Sequence, residues 1–347
     1  MKKIVIFGTI GIVVIIAILF GVTQSTSPSK SGVFSREKIK ISPTPGPYDI
    51  LTIPYLRNRN YTSSLSELEQ IASNGTYSSY LTSYDSDDLN INALLTIPQG
   101  EKPKNGWPAI IFIHGYIPPT QYETTQKYIA YVDYLASSGY VVFKIDLRGH
   151  GSSDGRATGA YYSSDYIVDT LHARAALQDS DFVNTDSIGL WGHSMAGNVV
   201  LRSIVAAKDI PVAVVWAGAV YTYEDLQMYR LNDASYIRPP LSSTRSKERE
   251  QLYNTVGDFD PNNSFWKQVI PTNYLDGITS ALQLHHAVSD PVVNVEYSRN
   301  LVSVLEDSPL TVELFEYPSD DHNIGAPYFN TAMERTVAFF DEYLKNF

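Results

Sequence analysis

The serine in Gly192-His193-Ser194-Met195-Ala196-Gly197 stands between a β-prone run, Ile188 to Trp191, and a stretch of small residues at helical spacing. A strand that turns sharply into a helix with serine at the bend exposes the hydroxyl, which suits a nucleophile. So tight a bend strains the serine backbone and demands small neighbours two residues away. Gly192 and Ala196 meet that demand, with Gly197 just behind. The Met195 N–H, at the start of the helix, would point at an oxyanion developing on an attacked carbonyl. The plainer reading is a Gly/Ser turn that only starts a helix, and the remaining chain argues against it.

A serine hydroxyl is a weak nucleophile near neutral pH. It needs an imidazole within hydrogen-bond reach, and the imidazole needs a carboxylate to fix its tautomer. In sheet enzymes built on such a bend these partners come later in the chain, acid before histidine. The chain has 7 histidines, so elimination works. His114, His150, His172 and His193 come before or at the bend, which leaves His285, His286 and His322. His322 lies in Tyr317-Pro-Ser-Asp-Asp-His-Asn323, just past the last predicted strand, and is the expected general base. Asp290, in His286-Ala-Val-Ser-Asp-Pro-Val-Val293 after the preceding strand, is the expected acid. Asp276, Glu224, Asp320 and Asp321 compete for that role, but the last two sit so close to His322 that they more naturally shape its loop. A metal held by His285 and His286 is disfavoured, because adjacent strand residues point to opposite faces.

The elements that must carry these residues follow from pattern. Ser79 to Tyr84 and Leu89 to Ile97 read as strands around a turn at Asp85 to Asp88. Ala109 to Ile113 is wholly apolar, as buried parallel strands are. Gln126 to Ser138 is helical in period, Tyr140 to Ile145 is a strand, and Tyr166 to Gln178 is a helix. Past the bend come strands at Pro211 to Trp216, Ala281 to His286 and Thr311 to Glu316, with helices at Tyr297 to Leu305 and Thr331 to Leu344. Strands alternating with helices predict an α/β fold with a mostly parallel, doubly wound sheet. Residues 220–273 break the alternation with Tyr221, Tyr223, Tyr229, Tyr236 and Trp266, and are expected to form a cap over the site. From Tyr48 to Gly75 a short run, Ile50 to Tyr55, precedes polar residues of no clear pattern.

The totals set bounds on this. With 44% apolar and 18% charged residues over 347, the chain can bury a substantial core. A net charge of −11 offers no basic stripe for nucleic acid. The absence of cysteine excludes disulfides, thiol catalysis and cysteine-bound zinc. Met1-Lys2-Lys3 precedes an uncharged apolar stretch, Ile4 to Val22. At about 1.5 Å per helical residue it nearly crosses a bilayer core of roughly 30 Å. No good small-x-small cleavage site follows, so residues 1–22 are expected to be a membrane anchor rather than a signal sequence. Lys30, Arg36, Lys38 and Lys40 follow the span, and by count would keep the domain in the cytoplasm. A short basic start before an apolar run is nonetheless an export signal, so the catalytic domain is expected outside the cytoplasm; secretion after signal cleavage is the alternative. Residues 23–47, rich in Ser, Thr, Pro and Lys, read as a flexible linker, and 48–347 as the catalytic domain.

From about Tyr77 onward the chain resembles an α/β-hydrolase, most of all the prolyl-oligopeptidase-like (S9-type) catalytic domain. The resemblance rests on His114-Gly115 after an apolar strand, on Asp146-x-Arg148-Gly149-x-Gly151-x-Ser153-x-Gly155, on the serine bend, on the Asp290 loop and on the Tyr317 to His322 ending. It implies Ser194 as nucleophile, Asp290 as acid, His322 as base, and the backbone N–H groups of Tyr116 and Met195 as the oxyanion hole. No cofactor and no metal are implied. Ala196 replaces the last glycine of the bend, Ala287 stands where glycine is usual, and Asn294 where proline is common. The expectation is a serine hydrolase acting through an acyl-enzyme on small-molecule carboxylic esters. The alternative is a peptidase or aminoacyl-amide hydrolase with the same residues, acting on short peptides. Against that alternative, the chain has no room for the propeller of the oligopeptide-cleaving members and no carboxylate pair suited to clamp a free amine. A silent binding module is disfavoured by the complete triad.

Overall fold

The structure is a computed structural model and describes residues 46–345. The expected N-terminal span, and the linker up to residue 45, lie outside the described residues. Among the described residues no helix is long and apolar enough to cross a membrane.

The run Ile50 to Tyr55 does not form a strand. A 3-10 turn at Asp49–Leu51 leads into helix α1 (Ile53–Asn58). Thr52 caps it, its hydroxyl accepting from the Tyr55 N–H at 3.3 Å, and Pro54 sits in the first turn where its missing N–H costs nothing. Strand β1 (Glu69–Ser73) follows, exposed along its whole length, with no apolar alternation to mark it. Strands β2 (Tyr77–Ser86) and β3 (Leu89–Pro98) make the predicted hairpin. Its two central residues, Asp87 and Asp88, both take positive φ (52° and 62°), the geometry that matches strand twist in a tight hairpin.

Strand β4 (Trp107–Ile113), helix α2 (Ile129–Ser137), strand β5 (Val141–Ile145) and helix α3 (Asp165–Asp179) come next. Strand β6 (Val183–His193), helix α4 (Ala196–Ala207) and strand β7 (Val212–Trp216) follow. Helix α2 starts later than its period predicts because Tyr128 sits at φ 62°, a conformation no right-handed helix admits. Nine strands form one sheet in the order β1-β2-β3-β5-β4-β6-β7, then β8 (Ala281–Ala287) and β9 (Thr311–Tyr317). From β5 to β9 every pairing is parallel; β1, β2 and β3 pair antiparallel. Helices α1, α3, α4 and α8 (Glu296–Leu305) bury one face, and α2 and α9 (Phe329–Leu344) the other. The sheet is therefore doubly wound, and the apolar residues of β4, with Ile110 to Ile113 wholly inaccessible, lie between the two layers. This is the α/β-hydrolase fold.

The segment between β7 and β8 is more regular than its sequence suggests. It holds helices α5 (Tyr223–Tyr229), α6 (Thr244–Val256) and α7 (Ser264–Val269). Each starts with a side-chain cap, from Thr222, Ser243 and Asn263 respectively. Tyr223, Leu252, Trp266 and Val269 pack with Leu51 into a small core of their own. Arg156 reaches α6 with two 2.8 Å bonds to the Glu248 carboxylate.

Candidate active site

Ser194 sits at the end of β6 with φ 55°, in the left-handed region that a serine enters only at a cost of about 1–3 kcal/mol. The exit of β7 holds it there. Its N–H donates to the Trp216 carbonyl at 2.9 Å, and its carbonyl accepts from Ala219 N at 3.0 Å and from Gly197 N at 2.9 Å. Gly197 permits this approach, since a Cβ there would lie 2.8 Å from Gly218 Cα and 2.9 Å from Ala219 N. The bend thus rests on backbone from two strands, and α4 begins at Ala196 directly behind it.

His322 and Asp290 meet across the loops after β9 and β8. The His322 Nδ1 lies 2.7 Å from Asp290 Oδ2, and the carboxylate side chain is fully buried. Asp290 Oδ1 accepts from the N–H groups of Val292 and Val293 at 2.8 and 3.0 Å. Burial opposes ionisation of Asp290, but bonds from His286, His322 and Val293 outweigh it and hold the carboxyl well below the usual carboxylate range. An ionised Asp290 obliges His322 to carry its proton on Nδ1, so Nε2 is left as the basic nitrogen. Asp321 shapes the loop as its position predicts, accepting from Asn323 N at 2.9 Å and Gly325 N at 2.8 Å.

Ser194 and His322 line one cavity of about 420 Å³. Among the described residues no hydrogen bond joins Ser194 Oγ to the His322 ring, a contact that in free enzymes commonly tightens only with substrate. Tyr116 lines the same cavity and Met195 follows Ser194 at the head of α4. Among the described residues neither the Tyr116 nor the Met195 N–H is taken by a hydrogen bond within the protein. The Gly115–Tyr116 peptide is held by the His114 ring, whose Nδ1 lies 2.7 Å from the Gly115 carbonyl. The cavity walls include Ile117, Tyr131 and Val292, and the cap reaches it through Asp233 and Ser235. Tyr236 of the cap packs edge-on against Tyr116, with centroids 5.4 Å apart. The cap aromatics Tyr221, Tyr223 and Trp266 do not line the cavity; they are buried in packing, so an aromatic-lined cap is not what the fold builds.

Two further histidines belong to this neighbourhood: His286, which chain order left as a candidate base, and His193, which it set aside. His286, on β8, lies 3.4 Å from Asp290 Oδ2 through Nε2, which also faces the Val293 carbonyl at 2.9 Å. Its neighbour His285 points the other way, to Tyr317 and Gln283, as strand alternation requires. His193 lies against His322, with ring centroids 4.7 Å apart and planes tilted by 51°. Tyr128, which no motif marks, reaches the same place from the turn before α2. Glu224 lies in the first turn of α5 and does not line the cavity.

Residues 107–246 match the family described as Serine aminopeptidase, S33. The human protein ABHD12B is 24% identical over 217 residues, 59% of this chain and 52% of its own length. Mouse dipeptidyl peptidase 8 is 25% identical over 247 residues, 69% of this chain and 25% of its own length. The chain thus spans about half of one curated relative and a quarter of the other. The acetyl xylan esterase 1 structure from Thermoanaerobacterium sp. JW/SL YS485 superposes with TM-score 0.57 at 16% identity, covering 83% of this chain and 90% of that one. Dipeptidyl peptidase 4 from Porphyromonas gingivalis gives 0.58 at 20% identity, covering 78% and 36%. The chain has the α/β-hydrolase fold. Within it the chain resembles the S9-type catalytic domains, and it stands among enzymes of the serine-hydrolase kind.

Proposed function

We propose that the protein is a serine hydrolase acting through an acyl-enzyme on carboxylic esters of small or medium acyl groups. The observation that carries this reading is the 2.7 Å bond between His322 Nδ1 and a buried, ionised Asp290, beside a cavity that also holds the strained Ser194. Ser194 Oγ bonds to the ester carbonyl carbon while His322 Nε2 takes its proton. The N–H groups of Tyr116 and Met195 receive the oxyanion, each donor contributing roughly 3–4 kcal/mol. The alcohol leaves with the proton from His322, and a water deprotonated by His322 then releases the acid and restores Ser194. A cavity of about 420 Å³ lies at the small end of ligand pockets and suits a short acyl chain.

A peptidase reading has one observation of its own. Asp233 places a carboxylate on the cavity wall, where it would face a substrate's ammonium group. Turnover of chromogenic esters of rising acyl length, set against aminoacyl and peptidyl amides, separates the two with Ser194→Ala as control. Ester cleavage with negligible amide cleavage, lost in the variant, is the expected result; comparable amide cleavage would make the protein a peptidase. Activity that survives in Ser194→Ala would overturn the mechanism. We also place the enzyme at a membrane through residues 1–22, with the catalytic domain outside the cytoplasm. Retention in the membrane fraction and digestion by protease added to intact cells are expected; release as a shortened soluble chain would mean signal cleavage instead.

A further inference from the structure

Three bonds link the loop after β4 to the loop after β9 through two side chains that have no part in the proton transfers above. The Gly115 N–H donates to Tyr128 Oη at 3.0 Å, Tyr128 Oη lies 2.8 Å from His193 Nδ1, and His193 Nε2 lies 3.1 Å from the His322 carbonyl. The direction of every proton in this chain is fixed. A carbonyl only accepts, so His193 Nε2 carries the hydrogen. Burial, with His322 beside it, pushes the His193 imidazole down to about 3, so the ring is neutral and Nδ1 is an acceptor. Tyr128 therefore donates to Nδ1 and uses a lone pair to receive Gly115.

The packing around this hub leaves no slack. A Cβ on residue 115 would sit 2.8 Å from Tyr128 Oη and 3.0 Å from His193 Nδ1. The space of the missing side chain is filled by the hub, which accounts for glycine after His114. With Gly115 N held by Tyr128 and Gly115 O by His114, the next peptide plane is set, and the trans geometry aims the Tyr116 N–H opposite that carbonyl. At the other end the same hub grips the backbone of His322 itself.

We propose that Tyr128 and His193 are a positioning pair, one unit that keeps the Tyr116 oxyanion donor and the His322 ring in register across the cavity. The proposal rests on the Ser194–Asp290–His322 reading. Misplacement of catalytic groups by about 1 Å costs on the order of 100-fold, so loosening one hub bond is expected to lower kcat roughly 10- to 100-fold. Tyr128→Phe keeps the ring on the cavity wall and removes only the hydroxyl. It should lower kcat by that factor with KM within about twofold, since substrate contact surface is unchanged. His193→Met removes both bonds and should do the same. His193→Gln offers an oxygen to Tyr128 and an N–H to the His322 carbonyl, and should restore kcat to within about fivefold of the wild type. Combining Tyr128→Phe with His193→Met should cost no more than either alone, because they break one unit.

Ester kinetics of these variants and of Ser194→Ala, in the full chain, with melting curves for each, decide the matter. Wild-type kcat in Tyr128→Phe, a change confined to KM, or His193→Gln no better than His193→Met would overturn the proposal. Should His193→Met fail to fold, Tyr128→Phe and His193→Gln decide it alone. If Ser194→Ala stays active, the triad reading fails and takes this with it; if Ser194→Ala is dead and the hub variants match wild type, only the positioning role fails.

Discussion

Replacing Asp290 by asparagine tests the site most sharply, because the structure dictates what each atom of the new amide must do. The Asn oxygen can take the place of Oδ1 and keep the bonds from Val292 and Val293 at 2.8 and 3.0 Å. The amide nitrogen then faces His322 Nδ1, at present 2.7 Å from Oδ2. As a donor it forces Nδ1 to accept, so the ring's hydrogen moves to Nε2, the nitrogen that would have to take the Ser194 proton. Reversal of the tautomer in a serine hydrolase lowers kcat by about 10⁴-fold, or roughly 5.5 kcal/mol of transition-state stabilisation. The amide nitrogen also meets His286 Nε2, another donor, at the former 3.4 Å contact, and that mismatch should cost about 1–2 kcal/mol of stability. The assay is ester kcat/KM for Asp290→Asn beside urea denaturation of the same preparation. A folded variant with less than a tenfold loss would refute the assignment of Asp290, and an equal loss in Asp320→Asn would move the acid to the His322 loop.

Other expectations follow from single contacts. Gly197→Ala would put a methyl 2.8 Å from Gly218 Cα, where only backbone can yield; a loss of about 1–3 kcal/mol of unfolding free energy, read as a lower urea midpoint, with reduced kcat is expected, and an unchanged midpoint would show that the bend is not clamped as described. Asp169→Ala takes from the Arg148 guanidinium its buried partner, whose Oδ1 now receives a 2.6 Å bond, and leaves it the half-exposed Asp165 at 3.2 Å; a cost of about 3 kcal/mol is expected, and a loss under 1 kcal/mol in denaturation would contradict this. Acidification from pH 7 to 5 should lower stability. Burial holds His114 well below 6.5 and pushes His193 and His285 down to about 3, so the unfolded chain binds protons first as pH falls, at about 2 kcal/mol per imidazole by pH 5. Asp146 and Asp225, each pushed up to about 6 by burial, act in the opposite sense and offset part of the loss; a urea midpoint that rises toward pH 5 would refute the balance.

Legibility in the sequence tracked how local the cause of each feature was. The β2–β3 hairpin, the apolar β4 and the β6–α4 bend are set by neighbours in the chain, and pattern alone placed them. The exposed strand β1 forms only because β2 offers an edge, so no alternation announced it. The start of α2 moved because Tyr128 is drawn into a left-handed turn by bonds to Gly115 and His193. The cap helices carried readable caps at Thr222, Ser243 and Asn263, yet the destination of Tyr223 and Trp266 was not readable, since a large aromatic serves a packing core and a ligand wall equally well.

Residue types and their order by themselves determined the fold class and named Ser194, Asp290 and His322 as the residues to examine, because a bent strand, a following acid loop and a late histidine each leave a local mark. Only the tertiary structure decided that the Asp290 and His322 side chains meet at 2.7 Å and that His322 shares a cavity with Ser194. It alone joined Tyr128 to His193. These are contacts between loops from separate strand ends, fixed by sheet order and burial, and no spacing along one chain encodes which side chains such loops will bring within hydrogen-bond reach.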